Sequence, residues 1–147
     1  MTSRMPLTRV VPEGYRAVLA LEKYVSSKVD HRLLELVKIR ASMINGCSFG
    51  VDMHATDALK QGEDVRRVVA VAAWREADFF TDEERAALDL TEAVTRLGDQ
   101  GVPDDVWGAA VTAFGDEGTA DLLLAIATIN VWNRLMIAVR QPPPPLA

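Results

Sequence analysis

Asn45-Gly46-Cys47-Ser48-Phe49-Gly50-Val51-Asp52-Met53-His54 is the stretch on which the reading of this chain turns. Asn45-Gly46 tolerates left-handed backbone, so it can end one helix and let another begin. The second helix starts at Cys47, the sole cysteine of the 147 residues, and His54 follows two turns along it. Helices on either side of so short a turn can fold back as an αα-hairpin.

Working outward, every periodic segment reads as helix, and no stretch alternates with period two for long. Glu13 to Lys28 carries Val18, Leu21 and Val25 near one stripe. Asp30 can cap the next segment, which runs to about Ile44 with Leu33, Leu34, Val37, Ala41 and Ile44 facing inward. The Cys47 helix runs to Gln61 and stops at Gly62. A fourth helix opens at Glu63-Asp64 and reaches Trp74. Thr81 to Glu84 reads as a capping box for a fifth helix to Leu97. Pro103 opens a sixth, closed by Gly115. The last helix, from about Glu117 to Val139, is apolar on most sides, which suits a core or an oligomer interface. The expectation is an all-α single-domain bundle of about seven helices. It comprises an irregular N-terminal arm over 1–12, a helical domain over 13–140 and a Pro-rich tail over 141–147.

Composition narrows the function. A net charge of −5 without a basic block argues against nucleic acid. Uninterrupted apolar stretches such as Leu122 to Ile126 are far too short to span a bilayer, and no secretory signal is visible, so a cytoplasmic location is expected. One cysteine excludes an internal disulfide framework. No dinucleotide or phosphate-loop motif is present, and no cofactor is expected.

The chemistry concentrates at Cys47, His54 and Glu35. A helix N-terminus offers unpaired N–H groups and a partial positive charge, which favour a thiolate there. A lone cysteine is equally at home as a buried, inert residue. Seven residues place His54 on the same face as Cys47 but about 10 Å up the axis, too far for a direct hydrogen bond. Position 50 bridges them, three residues after Cys47 and four before His54, and Gly50 is expected to leave a void or a water-sized pocket there. Glu35 lies about as far before the Asn45-Gly46 turn as His54 lies after it, so a hairpin would bring them together as an oriented base. The alternative for Glu35 is a surface pair with Lys38 or His31. A metal site from Cys47, His54, Glu35 and His31 lacks a recognisable close ligand spacing.

These residues resemble the Cys-x-x-Cys-x-x-x-His segment of the alkyl hydroperoxidase D-like family, within the carboxymuconolactone decarboxylase superfamily. The likeness extends from about residue 30 to Arg140. It rests on Glu35-Leu36-Val37, Ile39-Arg40, Trp74-Arg75-Glu76 through Phe80-Thr81, Glu84 to Leu88, Thr91 to Thr95, Ile129-Asn130 and Trp132-Asn133-Arg134. The resemblance implies an all-α fold, trimeric or hexameric assembly, and thiol-dependent reduction of peroxides with Cys47 as the thiol, His54 as relay histidine and Glu35 as relay carboxylate. The second cysteine is replaced by Gly50, and Phe49 stands where some members have a histidine. The two-cysteine cycle is therefore expected to be absent, and an external thiol would have to resolve a sulfenic acid on Cys47. Two other readings stay open. One is a non-redox acid/base enzyme, such as a decarboxylase or isomerase of a small carboxylated compound, using Glu35 and His54 in a pocket opened by Gly50. The other is a non-catalytic oligomeric binding protein.

Overall fold

The structure, a computed structural model, describes residues 2–147. Among these, seven α-helices follow one another: α1 (Leu7–Val10), α2 (Pro12–Lys28), α3 (His31–Asn45), α4 (Ser48–Lys60), α5 (Val65–Ala70), α6 (Asp82–Thr95) and α7 (Asp104–Val139). The starts and stops follow local chemistry. Asp30 accepts the Leu33 N–H at 3.1 Å, Gly46 closes α3 in the left-handed conformation (φ 68°, ψ 31°), and Thr81 with Glu84 forms the expected capping box.

Two expectations need correction. Part of the 1–12 arm is helical: Leu7–Val10 forms one turn, and Pro12, pre-set for a first helical position, opens α2 immediately after it. The arm also docks, with the Arg4 N–H bonded to the Val139 carbonyl at 2.8 Å. The fourth helix does not reach Trp74 as α-helix. It tightens into a 3₁₀ segment over Val71–Glu76, with Ala73 out of helical geometry (φ −133°, ψ 41°). The break expected at Gly115 is present, with φ 69° and ψ 177° inside α7.

The middle of α3 is buried on every side and organises the core. Leu36 and Ile39 join Val71, Trp74 and Leu88; Val37 joins Leu90, Leu122 and Ile126; Leu34 joins Val25 and Ala125. Each large aliphatic side chain withdrawn from water in this way stabilises the fold by about 1.5–3 kcal/mol. The central position of α3 also takes Glu35 and Lys38 out of water, so both charged groups need partners from neighbouring helices. Helix α7 is long and apolar enough, by length and composition alone, to cross a membrane; here its buried face, including Leu122, Ile126 and Ile129, packs into this core.

Candidate functional site

The α3–α4 hairpin builds the site. Gly46 reverses the chain, and the Cys47 N–H returns to the Ser42 carbonyl at 2.9 Å. Cys47 thereby becomes the N-cap of α4, and its Sγ accepts the Gly50 N–H at 3.4 Å. Sulfur takes the place that a serine or aspartate oxygen usually holds at such a cap. The thiol is 2% exposed.

Two turns on, His54 is buried and its Nδ1 lies 2.9 Å from Glu35 Oε2. The hairpin thus joins Glu35 and His54 as expected, and the alternative surface pairing of Glu35 with Lys38 or His31 does not occur. Lys38 instead turns to Glu22 on α2, whose other oxygen accepts the Trp132 indole N–H at 3.2 Å. A neutral His54 that donates from Nδ1 to Glu35 keeps Nε2 as its basic atom. No hydrogen bond joins Cys47 to His54 among the described residues, in line with their axial separation, but both wall one cavity of about 360 Å³. Tyr15 and Leu19 from α2, Ile129 and Met136 from α7, and Met5 to Thr8 of the arm make most of the remaining wall apolar. Phe49 and Gly50 also line it. A thiol and an oriented imidazole facing one apolar, ligand-sized cavity can carry nucleophilic attack coupled to proton transfer.

Gly50 does not leave the expected void. A Cβ built there would lie 2.5 Å from Ser42 Oγ and 2.9 Å from Asn133 Nδ2. These two groups are hydrogen-bonded to each other at 3.0 Å and press against the glycine backbone. The cavity beside Gly50 is therefore formed by the surrounding helices and the arm, while the space of the absent side chain is already filled. Close approach of α3 and α7 to α4 accounts for the glycine.

The four residues weighed and set aside as a metal site are only partly together. Glu35, His54 and Asp57 each place a donor atom within 4.8 Å of the others. Cys47 is outside that set, and His31 lines a different cavity together with Glu35. Glu22, Lys38, Ser42, Asn133 and Asp57 were not among the residues expected at the site. Their signal was polarity at positions that the periodicity assigns to buried faces: Asn133 lies in the most apolar helix, and Lys38 sits between Val37 and Ile39.

The sequence profile of the carboxymuconolactone decarboxylase family matches residues 12–93, a span that contains the hairpin, Cys47 and His54. The chain belongs to that family. The uncharacterized protein YdfG of Bacillus subtilis (strain 168) is 40% identical over 140 residues, covering 95% of each chain. A crystal structure of ATU0492 from Agrobacterium tumefaciens, a protein of unknown function described as a candidate antioxidant defence protein AhpD, superposes with a TM-score of 0.94. It is 38% identical and covers 99% of this chain and 100% of that one. The debrominase Bmp8 shares the fold, with a TM-score of 0.76 at 19% identity over 90% of this chain and 72% of its own. This carboxymuconolactone decarboxylase family member therefore has the all-α, AhpD-like architecture that its hairpin motif implied.

Proposed function

We propose that this protein is a one-cysteine thiol peroxidase. The observation that carries the reading is the shared cavity: the Cys47 thiol and the Glu35-oriented His54 ring wall the same apolar space. In the first step the thiol proton passes to His54, directly through the substrate or through a bridging water. The thiolate attacks one oxygen of a hydroperoxide, the O–O bond breaks, and the alcohol leaves with a proton returned to its oxygen. Cys47 is left as a sulfenic acid and the peroxide is reduced by two electrons.

Resolution has to come from outside. With Gly50 against Ser42 and Asn133 there is no internal thiol, so an external thiol attacks the sulfenic sulfur and releases water. A second external thiol then frees Cys47 by exchange and carries away the disulfide. The buried position of Cys47 makes the cavity the approach for peroxide and reductant alike. The family likeness to trimeric or hexameric proteins supports a homo-oligomer, and Leu124 and Val131, exposed two turns apart on α7, offer an apolar surface for it.

The test is a peroxide challenge of the full-length protein followed by intact mass. Cumene hydroperoxide should add one oxygen, a small thiol should remove it, and Cys47→Ser should abolish the adduct. His54→Ala and Glu35→Gln should slow it by about 10²-fold or more, the usual scale for losing a positioned acid/base group. Unmodified Cys47 under excess peroxide refutes the reading. The acid/base alternative rests on the same Glu35–His54 pair, and it predicts a reaction that survives Cys47→Ser.

A further inference from the structure

Among the described residues that line the Cys47 cavity there is no lysine or arginine, and there is a single carboxylate, Glu22 of α2. The cation that balances this carboxylate stands outside the lining. Lys38 Nζ donates to Glu22 Oε1 from α3, yet only 5% of the Lys38 side chain is exposed against 24% of that of Glu22. The pair therefore turns its negative end to the cavity and keeps its positive end in the core. Ser26 Oγ adds a long bond to Oε1 at 3.5 Å, and the Trp132 indole N–H donates to Oε2 at 3.2 Å. A carboxylate oxygen has two lone pairs, and Oε2 takes one donor among the described residues, so it has room for another.

Nothing else in the wall offsets that sign. His54 is matched by Glu35, and the Gly50 N–H in the first turn of α4 is taken by Cys47 Sγ. The remaining wall is mainly apolar, with neutral polar groups such as Asn133 and Gln141. Tyr15 packs edge-on against Trp132, with ring centroids 5.2 Å apart, and fixes the indole that holds Glu22. A carboxylate entering this space would lose water, meet no free cation and face a like charge. Such a contact rejects a ligand as effectively as a clash. A neutral molecule with an O–H or N–H can instead donate it to Oε2.

We propose that Glu22 is a specificity-determining residue, which admits neutral apolar molecules, held by a hydrogen bond donated to Oε2, and turns away anionic ones. The inference rests on the thiol-peroxidase reading for the identity of the substrate. On that reading the substrate is a neutral organic hydroperoxide whose body carries a hydroxyl or an N–H, and carboxylated hydroperoxides are poor substrates. The same charge placement disfavours a carboxylated compound for the acid/base alternative.

The experiment measures binding to resting, full-length protein through the Trp132 indole N–H resonance, assigned by its loss in Trp132→Phe. Three ligands of similar shape are compared: para-isopropylphenol, which donates; para-isopropylanisole, which does not; and para-isopropylbenzoate, which is charged. At neutral pH the benzoate is ionised and the phenol is not. The phenol should bind several-fold tighter than the anisole and about tenfold or more tighter than the benzoate. Loss of solvation already penalises the benzoate, so the decisive quantity is the response of the phenol-to-benzoate ratio to Glu22. Glu22→Gln/Lys38→Met removes both charges together, a change that buried pairs tolerate, and should shrink the ratio about tenfold. Glu22→Gln alone leaves Lys38 uncompensated and should shrink it further; if that variant fails to fold, the double variant decides. An intact backbone amide spectrum certifies the fold of each. Benzoate binding as tight as phenol in the parent overturns the proposal, as does phenol no tighter than anisole, a ratio unchanged in the double variant, or failure of all three to bind. No peroxide is present, so these outcomes are separate from success or failure of the peroxidase reading.

Discussion

Gly50→Ala is the sharpest perturbation of this site. On helix propensity alone, alanine should stabilise α4 by about 1 kcal/mol. The packing predicts the opposite. The new methyl group would meet Ser42 Oγ at 2.5 Å, Asn133 Nδ2 at 2.9 Å and Ser42 Cβ at 3.1 Å. Ser42 and Asn133 are both fully buried, and Asn133 is held from its other end by the Asn45 amide at 3.0 Å. Overpacking of this kind costs about 1–3 kcal/mol. If Ser42 Oγ rotates away instead, a buried Asn133 N–H loses its acceptor, again at about 1–3 kcal/mol. The net expectation is destabilisation by up to about 2 kcal/mol once the propensity gain is subtracted. Urea unfolding followed by circular dichroism measures it, at fixed protein concentration because assembly would add its own stabilisation. The same change in a Ser42→Ala background should cost less, since the nearest atom is gone, leaving a coupling of roughly 1 kcal/mol. A Gly50→Ala protein as stable as the parent, with no coupling to Ser42, would refute the close-approach explanation.

Two further outcomes follow from charge and backbone geometry. Hydrogen bonds from Arg32 and Arg67 hold the Glu63 carboxyl at about 2, well below its ordinary 4.5. A lowered folded-state value means that the stabilisation is present above pH 4.5 and is lost as pH falls toward 2. With Arg32 largely in solvent, the effect should be of order 1–2 kcal/mol. Urea midpoints measured against pH should therefore fall less steeply across that window in Glu63→Gln than in the parent, and parallel curves would contradict the assignment. Gly115→Ala should cost about 1–3 kcal/mol through backbone strain alone, because φ 69° with ψ 177° suits glycine and no atom lies within 4 Å of the added Cβ. An unchanged melting temperature would mean that α7 can be continuous there.

Much of the fold was legible because its signals are local. Asp30, Gly46, the Thr81–Glu84 box and Gly115 each act within a few residues, and each marks the expected boundary. The Glu35–His54 meeting was legible for a related reason: a tight turn makes equal sequence distances equal heights on antiparallel helices. What escaped depends on three-body packing. Lys38 was unreadable as a buried cation because its partner, Glu22, comes from α2 and is fixed in turn by Trp132 from α7. The end of α5 escaped as well, because the apolar run from Val68 to Trp74 suits a helix throughout. Its last turn tightens to 3₁₀, seating Trp74 with its indole N–H on Glu92 at 2.9 Å.

Gly50 changes meaning between sequence and structure. In the sequence it is an absence, a position where a resolving cysteine belongs by resemblance. In the structure it is a constraint, since α3 and α7 reach α4 at that point through Ser42 and Asn133. Substituting cysteine there would therefore not rebuild a two-cysteine centre, because the Cβ would meet the same two groups before the sulfur found room. On the thiol-peroxidase reading the reductant enters from outside, through a cavity walled by the N-terminal arm that Arg4 pins to Val139. Restoring an internal dithiol would require changing Ser42 and Asn133 together with Gly50. A triple variant in which Cys47 forms a disulfide with the introduced thiol, where Gly50→Cys alone does not, would show that packing, more than the identity of residue 50, keeps this centre at one thiol.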